Sequence, residues 1–162
     1  MTTKKKPASK SPTAPDAIAL LKEDHRNVGA MFAQYDKLGD KAQVKKLALA
    51  RRICKELKAH TQIEEEIFYP ATRAVLPKED DLLDEAQVEH NGAKELIRQL
   101  DAMKPGDDLF DAKVTVLGEQ VKHHVKEEQE DMFPKVRKTK LDLHEIGMRL
   151  AFRKQELLKQ IV

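Results

Sequence analysis

Apolar residues recur at intervals of three and four along most of this chain, which is the period of amphipathic helices rather than strands. Breaker and capping residues divide the pattern into five helices that end near residues 38, 75, 103, 138 and 160. The predicted capping residues at the helix starts are Thr13, Asp40, Asp81 and Asp142. Four long helices joined by short turns predict an all-α, up-down-up-down four-helix bundle with an additional C-terminal helix.

The chain divides into three predicted parts: a disordered basic tail at 1–14, the bundle at 15–139 and a C-terminal amphipathic helix at 140–162. The tail "MTTKKKPASKSPTA" has no apolar run of the kind that a signal peptide requires. We expect it to be a solubilising segment, and no nucleic acid contact is expected beyond a weak one through its lysines. For the last helix we expect packing across the end of the bundle, with a homodimer or a docked partner as the alternative.

The apolar stripe of each long helix is interrupted near its middle by a histidine, and in two helices also by a glutamate four residues later. The interrupting residues are His25, His60, Glu64, His90, His124 and Glu128. In the second helix we expect the inner face to continue through Ile67, Ala71 and Val75. A short turn at Gly39 would place His25 nearer to Cys54 than to His60, so the connection must be longer or the helices staggered.

A metal site explains these interruptions better than ordinary core packing does. An unpaired buried carboxylate costs several kcal/mol, and no lysine or arginine lies on the stripes between the interrupting residues. Bound cations would supply the missing positive charge. Histidine and glutamate four residues apart share one helix face, and imidazole with carboxylate suits iron, manganese or zinc.

The fourth helix offers two candidate pairs, because both His123 and His124 have a glutamate four residues later. Only His124 and Glu128 share a face with Leu117 and Val121, so we predict this pair as ligands. We expect His144, in the last helix, to be an ordinary surface or packing residue.

The candidate ligands repeat along the chain. His60, Glu64, Pro70 and Arg73 each have a counterpart 64 residues later, and His25 has one 65 residues later. We infer two similar helical hairpins, related by an approximate two-fold axis, that form two half-sites for two ions in one pocket. Pro70 and Pro134 lie inside helical patterns, where we expect kinks.

The segments "EDHRNV", "EEEIFYP", "EHNGAKEL" and "HVKEEQEDMFP" resemble signatures of the hemerythrin family in its bacterial, HHE cation-binding form. The resemblance covers about Asp16 to Lys138. It implies a non-haem di-iron centre whose two carboxylates bridge two iron ions, with manganese or zinc as alternatives. Open positions at the metals would meet a small diatomic ligand or peroxide.

The chain departs from the oxygen-carrying members of that family, which have five histidines. Only His90 is present on the third helix, and Lys94 stands four residues later. The six-ligand set leaves a position for water or a seventh ligand. Tyr35 and Tyr69 flank the pocket region as candidate ligands or redox groups, but core packing is our expectation for both.

Three functions follow from the resemblance. The first is a protein that binds dioxygen, peroxide or nitric oxide for sensing, storage or stress response. The second is a di-iron enzyme with peroxidase-like, catalase-like or nitric-oxide-related activity, and the third is iron handling. The identity of any catalytic residue is left open.

The composition indicates the cellular compartment of the protein more clearly than its function. The chain is 36% charged and 40% hydrophobic, has six glycines, and carries a net charge of only +2 that does not indicate a partner. Its single cysteine, Cys54, excludes an internal disulfide, fits a reducing compartment and is expected to be a buried apolar residue. No segment approaches the ~20 apolar residues of a membrane span, so we expect a soluble, cytoplasmic protein.

Overall fold

Residues 16–162 of the computed structural model form five helical rods, two of which are built from two α-helices joined through a π turn. The α-helices are α1 (Ala17–Asp36), α2 (Gln43–Ile63), α3 (Tyr69–Val75), α4 (Asp80–Asp101), α5 (Phe110–Glu127), α6 (Phe133–Arg137) and α7 (Leu143–Gln160). No strand occurs within this range, so the predicted all-α class is confirmed. The predicted tail and the predicted cap Thr13 lie outside the described residues.

Two helix starts are capped by aspartate side chains. Asp16 accepts a hydrogen bond from the backbone N–H of Ala19 at 2.8 Å, and Asp142 accepts one from Glu145 at 3.0 Å. The prediction for Asp142 is therefore confirmed.

The predicted caps of the second and third helices are wrong. Helix α2 follows Ala42 and helix α4 follows Glu79, and neither start has a side-chain cap. Asp40 lies in the connection before α2. Asp81 lies inside the first turn of α4, where its charge suits the positive end of the helix dipole.

The connection between α1 and α2 determines how His25 and His60 lie relative to each other. It spans residues 37–42, which is longer than a tight turn at Gly39. The rings of His25 and His60 lie 4.9 Å apart between centroids, whereas Cys54 is buried in a separate apolar cluster. The longer, staggered connection thus places the two histidines side by side.

A π turn ends two residues before each of the two prolines at which we predicted a kink. Glu64–Phe68 joins α2 to α3, and Glu128–Met132 joins α5 to α6. In each, the N–H after the turn bonds to the glutamate carbonyl five residues back. Pro70 and Pro134 are the second residues of α3 and α6, where the wider turn accommodates a residue that cannot donate.

The inserted π residue also rotates the inner face of α3 by about 100° relative to a continuous α-helix. Phe68 and Thr72 are buried, whereas Ala71 and Val75 are only half-buried. The predicted continuation of the stripe through Ala71 and Val75 is therefore wrong, because it assumed an unbroken 3.6-residue period.

Two apolar clusters lie on either side of the polar residues of the bundle. One contains Ile18, Leu21 and Phe68, and the other contains Val28, Ile53 and Leu117. Helix α7 packs against α1 and α2 and buries three side chains in the first cluster, namely Ile146, Leu150 and Leu157. Helix α7 therefore packs on the bundle as predicted, but it lies along α1 and α2, so the expected position across the end of the bundle is wrong. Within residues 16–162 no helix is long and apolar enough to cross a membrane.

Candidate metal centre

The six predicted ligands lie together between the two apolar clusters. They form two groups that share Glu64, and in each group the candidate ligand atoms lie within 4.8 Å of one another. The first group is His25, His60, Glu64 and Glu128, and the second is Glu64, His90 and His124. The two glutamates are only 0% and 1% exposed, so their charges have almost no contact with water.

The spacing inside the first group fits an ion better than it fits hydrogen bonds. His25 Nε2 lies 3.2 Å from a Glu128 oxygen, and His60 Nε2 lies 3.1 Å from a Glu64 oxygen. Yet none of these four buried atoms makes an aligned hydrogen bond within residues 16–162. Ligand atoms at about 2.1 Å from one ion and at right angles to each other would be about 3.0 Å apart. The candidate ligand atoms of this group lie within 4.8 Å of one another, which is close enough to share one ion.

The second group shows the same convergence. His90 Nε2 lies 3.1 Å from Glu64 and 3.1 Å from His124 Nε2, and the latter nitrogen lies 3.4 Å from Glu128. Two imidazole nitrogens at this distance repel unless a proton or a cation lies between them. Both groups therefore fit a positively charged ion.

The outer nitrogen of each histidine ring is held by another side chain. The Nδ1 atoms of His25, His60, His90 and His124 lie 2.9, 3.1, 2.9 and 2.5 Å from oxygens of Gln129, Asp24, Glu65 and Glu89, respectively. A proton on each Nδ1 leaves the Nε2 lone pair facing the centre, which is the arrangement of histidines that bind metals.

Lysines neutralise two of the outer carboxylates. Lys154 of α7 lies 2.5 Å from Asp24, which is 6% exposed, and Lys94 lies 2.6 Å from both oxygens of Glu65. The only lysines near these rings thus lie outside them, and Glu64 and Glu128 have no lysine or arginine partner within the described range.

Tyr69 corrects our expectation of simple core packing. Its hydroxyl donates to Glu128 at 2.6 Å and lies 3.2 and 3.3 Å from the inner nitrogens of His90 and His124. The π turn after Glu64 is what brings this side chain to the second group. The counterpart of Tyr69 in the other hairpin is Phe133, which stacks on His25 at 5.9 Å and has no hydroxyl.

The sequence profile of the Hemerythrin HHE cation binding domain matches residues 16–136. This chain belongs to that family. The suspected resemblance is confirmed, and the two groups of histidines and glutamates could hold cations in this HHE domain.

Two similar proteins place the domain in context. A hemerythrin HHE cation binding domain-containing protein from Mycobacterium kansasii has a crystal structure with a TM-score of 0.76 at 23% identity, covering 90% of this chain and 89% of that one. It shows the shared fold. A DNA nickase from Nostoc sp. is 28% identical over 118 residues, or 73% of this chain. This chain spans about a third (32%) of the length of that nickase.

The carboxylates of the HHE domain favour protonated histidines when no ion is bound. Burial lowers the pKa of His60, but the charge of Glu64 and the bond to Asp24 outweigh it and raise the pKa to about 10. Burial likewise lowers the pKa of His124, and Glu128 raises it to about 9. Protons and metal ions therefore compete for the same inner nitrogens.

The remaining candidates lie outside the centre. His123 is exposed and contacts Glu89 and Glu127 on the surface, and His144 is exposed on α7. The Tyr35 hydroxyl donates to Asp111 at 2.6 Å. Cys54 is buried as predicted, and the pKa of its thiol is raised to about 11, mainly by burial.

Sequence reasoning missed the four residues that hold the outer nitrogens, although the repeat contains them. Each stands next to a predicted ligand in the sequence, as Asp24 does to His25. Asp24 and Glu89 are 65 residues apart, and Glu65 and Gln129 are 64 apart. Including the polar residue next to His25, Glu64, His90 and Glu128 in the repeat would have identified all four.

Proposed function

We propose that this HHE domain is a non-haem di-iron protein that binds dioxygen or a related small molecule, peroxide or nitric oxide, for sensing, storage or stress response. The observation that carries the proposal is the set of four buried, unbonded nitrogen and oxygen atoms that converge between two apolar clusters. Such atoms are costly unless an ion satisfies them.

The residues would divide between two ions as follows. His25 and His60 would hold one ion, His90 and His124 would hold the other, and Glu64 and Glu128 would lie between them. The Tyr69 hydroxyl lies 3.2 and 3.3 Å from the inner nitrogens of His90 and His124, and it would supply a seventh ligand on that side. Imidazole, carboxylate and phenol oxygen suit iron, with manganese or zinc as alternatives. Iron would supply a reversible change of oxidation state and a position for the small molecule.

The test loads the metal-free protein with ferrous iron under anaerobic conditions, followed by metal analysis and an optical spectrum before and after exposure to dioxygen or nitric oxide. We expect two ions per chain and a new charge-transfer band. His60→Ala should lose one or both ions, whereas His123→Ala should keep both, because His123 lies outside the centre. A loaded protein whose spectrum does not change with dioxygen, nitric oxide or added peroxide would contradict the proposal.

The second candidate is an enzyme that turns over peroxide or nitric oxide at the same ions. It is favoured by Tyr69, whose hydroxyl lies within 2.6 Å of a carboxylate in the centre and can donate a proton there. Peroxide consumption that is no faster than with free iron, and unchanged in His60→Ala, would exclude this candidate. Iron handling is the third, and a fixed stoichiometry of two ions would exclude bulk storage.

A further inference from the structure

A cavity of about 530 Å³ lies between α1 and α5 and reaches the candidate metal centre at one residue. His25 lines it, and the other candidate ligands do not. Its walls are mainly apolar, with Phe32, Val121 and Val125 among them, and charged side chains such as Lys122 line it as well. A volume of this size is in the range of small-molecule sites in proteins.

Two glycines keep this groove open. Gly29 on α1 and Gly118 on α5 both line it, and both lie inside helices, where glycine costs about 1 kcal/mol relative to alanine. A Cβ at Gly29 would meet no atom within 4 Å, so the space beside it is empty. A Cβ at Gly118 would lie 3.1 Å from the Phe32 ring. A larger residue at position 118 would therefore push the Phe32 ring out of its present position.

The groove opens on the half of the centre that has no hydroxyl. Tyr69 reaches the His90 and His124 side, whereas its counterpart Phe133 covers the His25 side with a plain ring. The groove therefore arrives at the His25 side, where Phe133 brings no hydroxyl to the centre.

We propose that the groove between α1 and α5 is the access route, and a transient binding site, for a small uncharged molecule of the size of dioxygen or nitric oxide. Such a molecule loses little hydration among carbon atoms, whereas an anion would lose much of its water there. The delivery role rests on the proposed function, since it needs a metal at the centre. The binding role of the groove itself does not.

The test variant is Gly29→Leu. A leucine on a helix leans back over the residue four positions earlier, which at this place is His25. The Cβ of this leucine would meet no atom within 4 Å, so the side chain can extend into the groove, and the loss of a mid-helix glycine should keep or raise the melting temperature. Gly92→Leu is the matched control, because Gly92 is an exposed glycine inside α4 that does not line the groove.

The first experiment uses metal-free protein and xenon, an uncharged apolar atom that occupies empty apolar cavities. Crystals under xenon pressure should show xenon in the groove of the wild type and of Gly92→Leu, but not of Gly29→Leu. Xenon absent from the groove of the wild type would overturn the binding role, whether or not the protein binds iron.

The second experiment follows nitric oxide binding to iron-loaded protein by stopped flow. The association rate should fall at least about tenfold in Gly29→Leu and stay unchanged in Gly92→Leu, since an obstructed path lowers the on-rate. An unchanged rate in Gly29→Leu would overturn the delivery role. Failure of the wild type to bind iron or nitric oxide would instead refute the proposed function and with it the delivery role, leaving the xenon result to decide the groove.

Discussion

At the scale of single residues, the centre is set by hydrogen bonds as much as by its inner atoms. Each of the four rings has its outer nitrogen, Nδ1, bonded to an oxygen of a neighbouring side chain. These bonds fix the orientation of each ring and favour a proton on Nδ1 before any ion binds. Tyr69 adds a hydroxyl at the second group, where burial and then the charges of Glu128 and Glu64 hold the pKa of its phenol well above the usual value. A trivalent cation next to that oxygen would reverse this effect.

Tyr69→Phe tests the tyrosine directly. If the phenol binds iron, the variant should bind it about 10–100-fold more weakly, the loss typical when a supporting group of a metal site is removed. It should also lose any absorption band that comes from phenolate bound to ferric iron. Tyr35→Phe is the matched control, since Tyr35 is buried too but bonds to Asp111. Equal effects of the two substitutions would show that Tyr69 only fills space.

Metal binding should release protons. The pKa values of His60 and His124, about 10 and about 9, lie above neutrality. Both rings are therefore protonated on both nitrogens and positively charged at pH 7 in the metal-free protein. Loading must displace one proton from each of these two rings, and the apparent affinity should rise with pH until both rings are neutral, above about pH 10. Calorimetry in buffers of different ionisation enthalpy measures the release. Binding without proton uptake by the buffer would contradict the raised pKa values.

At the scale of the elements, the two π turns separate what the sequence could predict from what it could not. Up to Glu64 and Glu128 the helical period selects inner residues correctly, because hydrophobic periodicity reports which side of a regular helix is buried. The turn that follows inserts one residue, which neither the apolar pattern nor the prolines encode in an obvious way. The inward positions predicted for Ala71 and Val75 were therefore wrong, while the six candidate ligands lie together as expected. Their metal-binding role stays a prediction.

The long-range contacts of α7 were also beyond the sequence. Its stripe predicted packing, but the partner of a surface lysine depends on which helices lie beside it. Lys154 contacts Asp24 and Glu56 from two different helices, and only the tertiary structure brings these together.

Lys154→Met tests whether α7 supports the centre. Without the ammonium group, Asp24 is a buried carboxylate with only His60 as its partner, so it should take up a proton or turn away. We expect metal affinity to fall about tenfold, the lower end of the range for outer partners of metal ligands. Competition with a chelator measures it. Lys159→Met, an exposed lysine in the last turn of α7, is the control and should match the wild type.

At the scale of the whole molecule, the polar centre divides the hydrophobic core into two clusters. Each of the two candidate ligand groups takes side chains from three of the four rods of the bundle, so two bound ions together would link all four rods. Without an ion, the carboxylates depend on protonated histidines for neutralisation, and the Glu64 and Glu128 charges repel each other. Stability of the whole bundle should therefore depend on metal.

Heat denaturation with and without iron checks this dependence. An ion that binds only the folded chain stabilises it by about 2.7 kcal/mol at a free concentration of 100 times its dissociation constant. We expect a clear rise in melting temperature in the wild type and little or none in Glu64→Gln. A wild-type melting temperature that does not respond to saturating metal would contradict a role of the ion in holding the rods together.

The position of Lys94 has an evolutionary consequence. Its ammonium group sits on Glu65, which in turn holds Nδ1 of His90, so this side chain lies along the outside of the ring. Exchanging Lys94 for histidine would strip Glu65 of its counter-charge, and with it the support that Glu65 gives to the His90 ring. A fifth imidazole at this position would therefore need a second change near Glu65 to keep that ring in place.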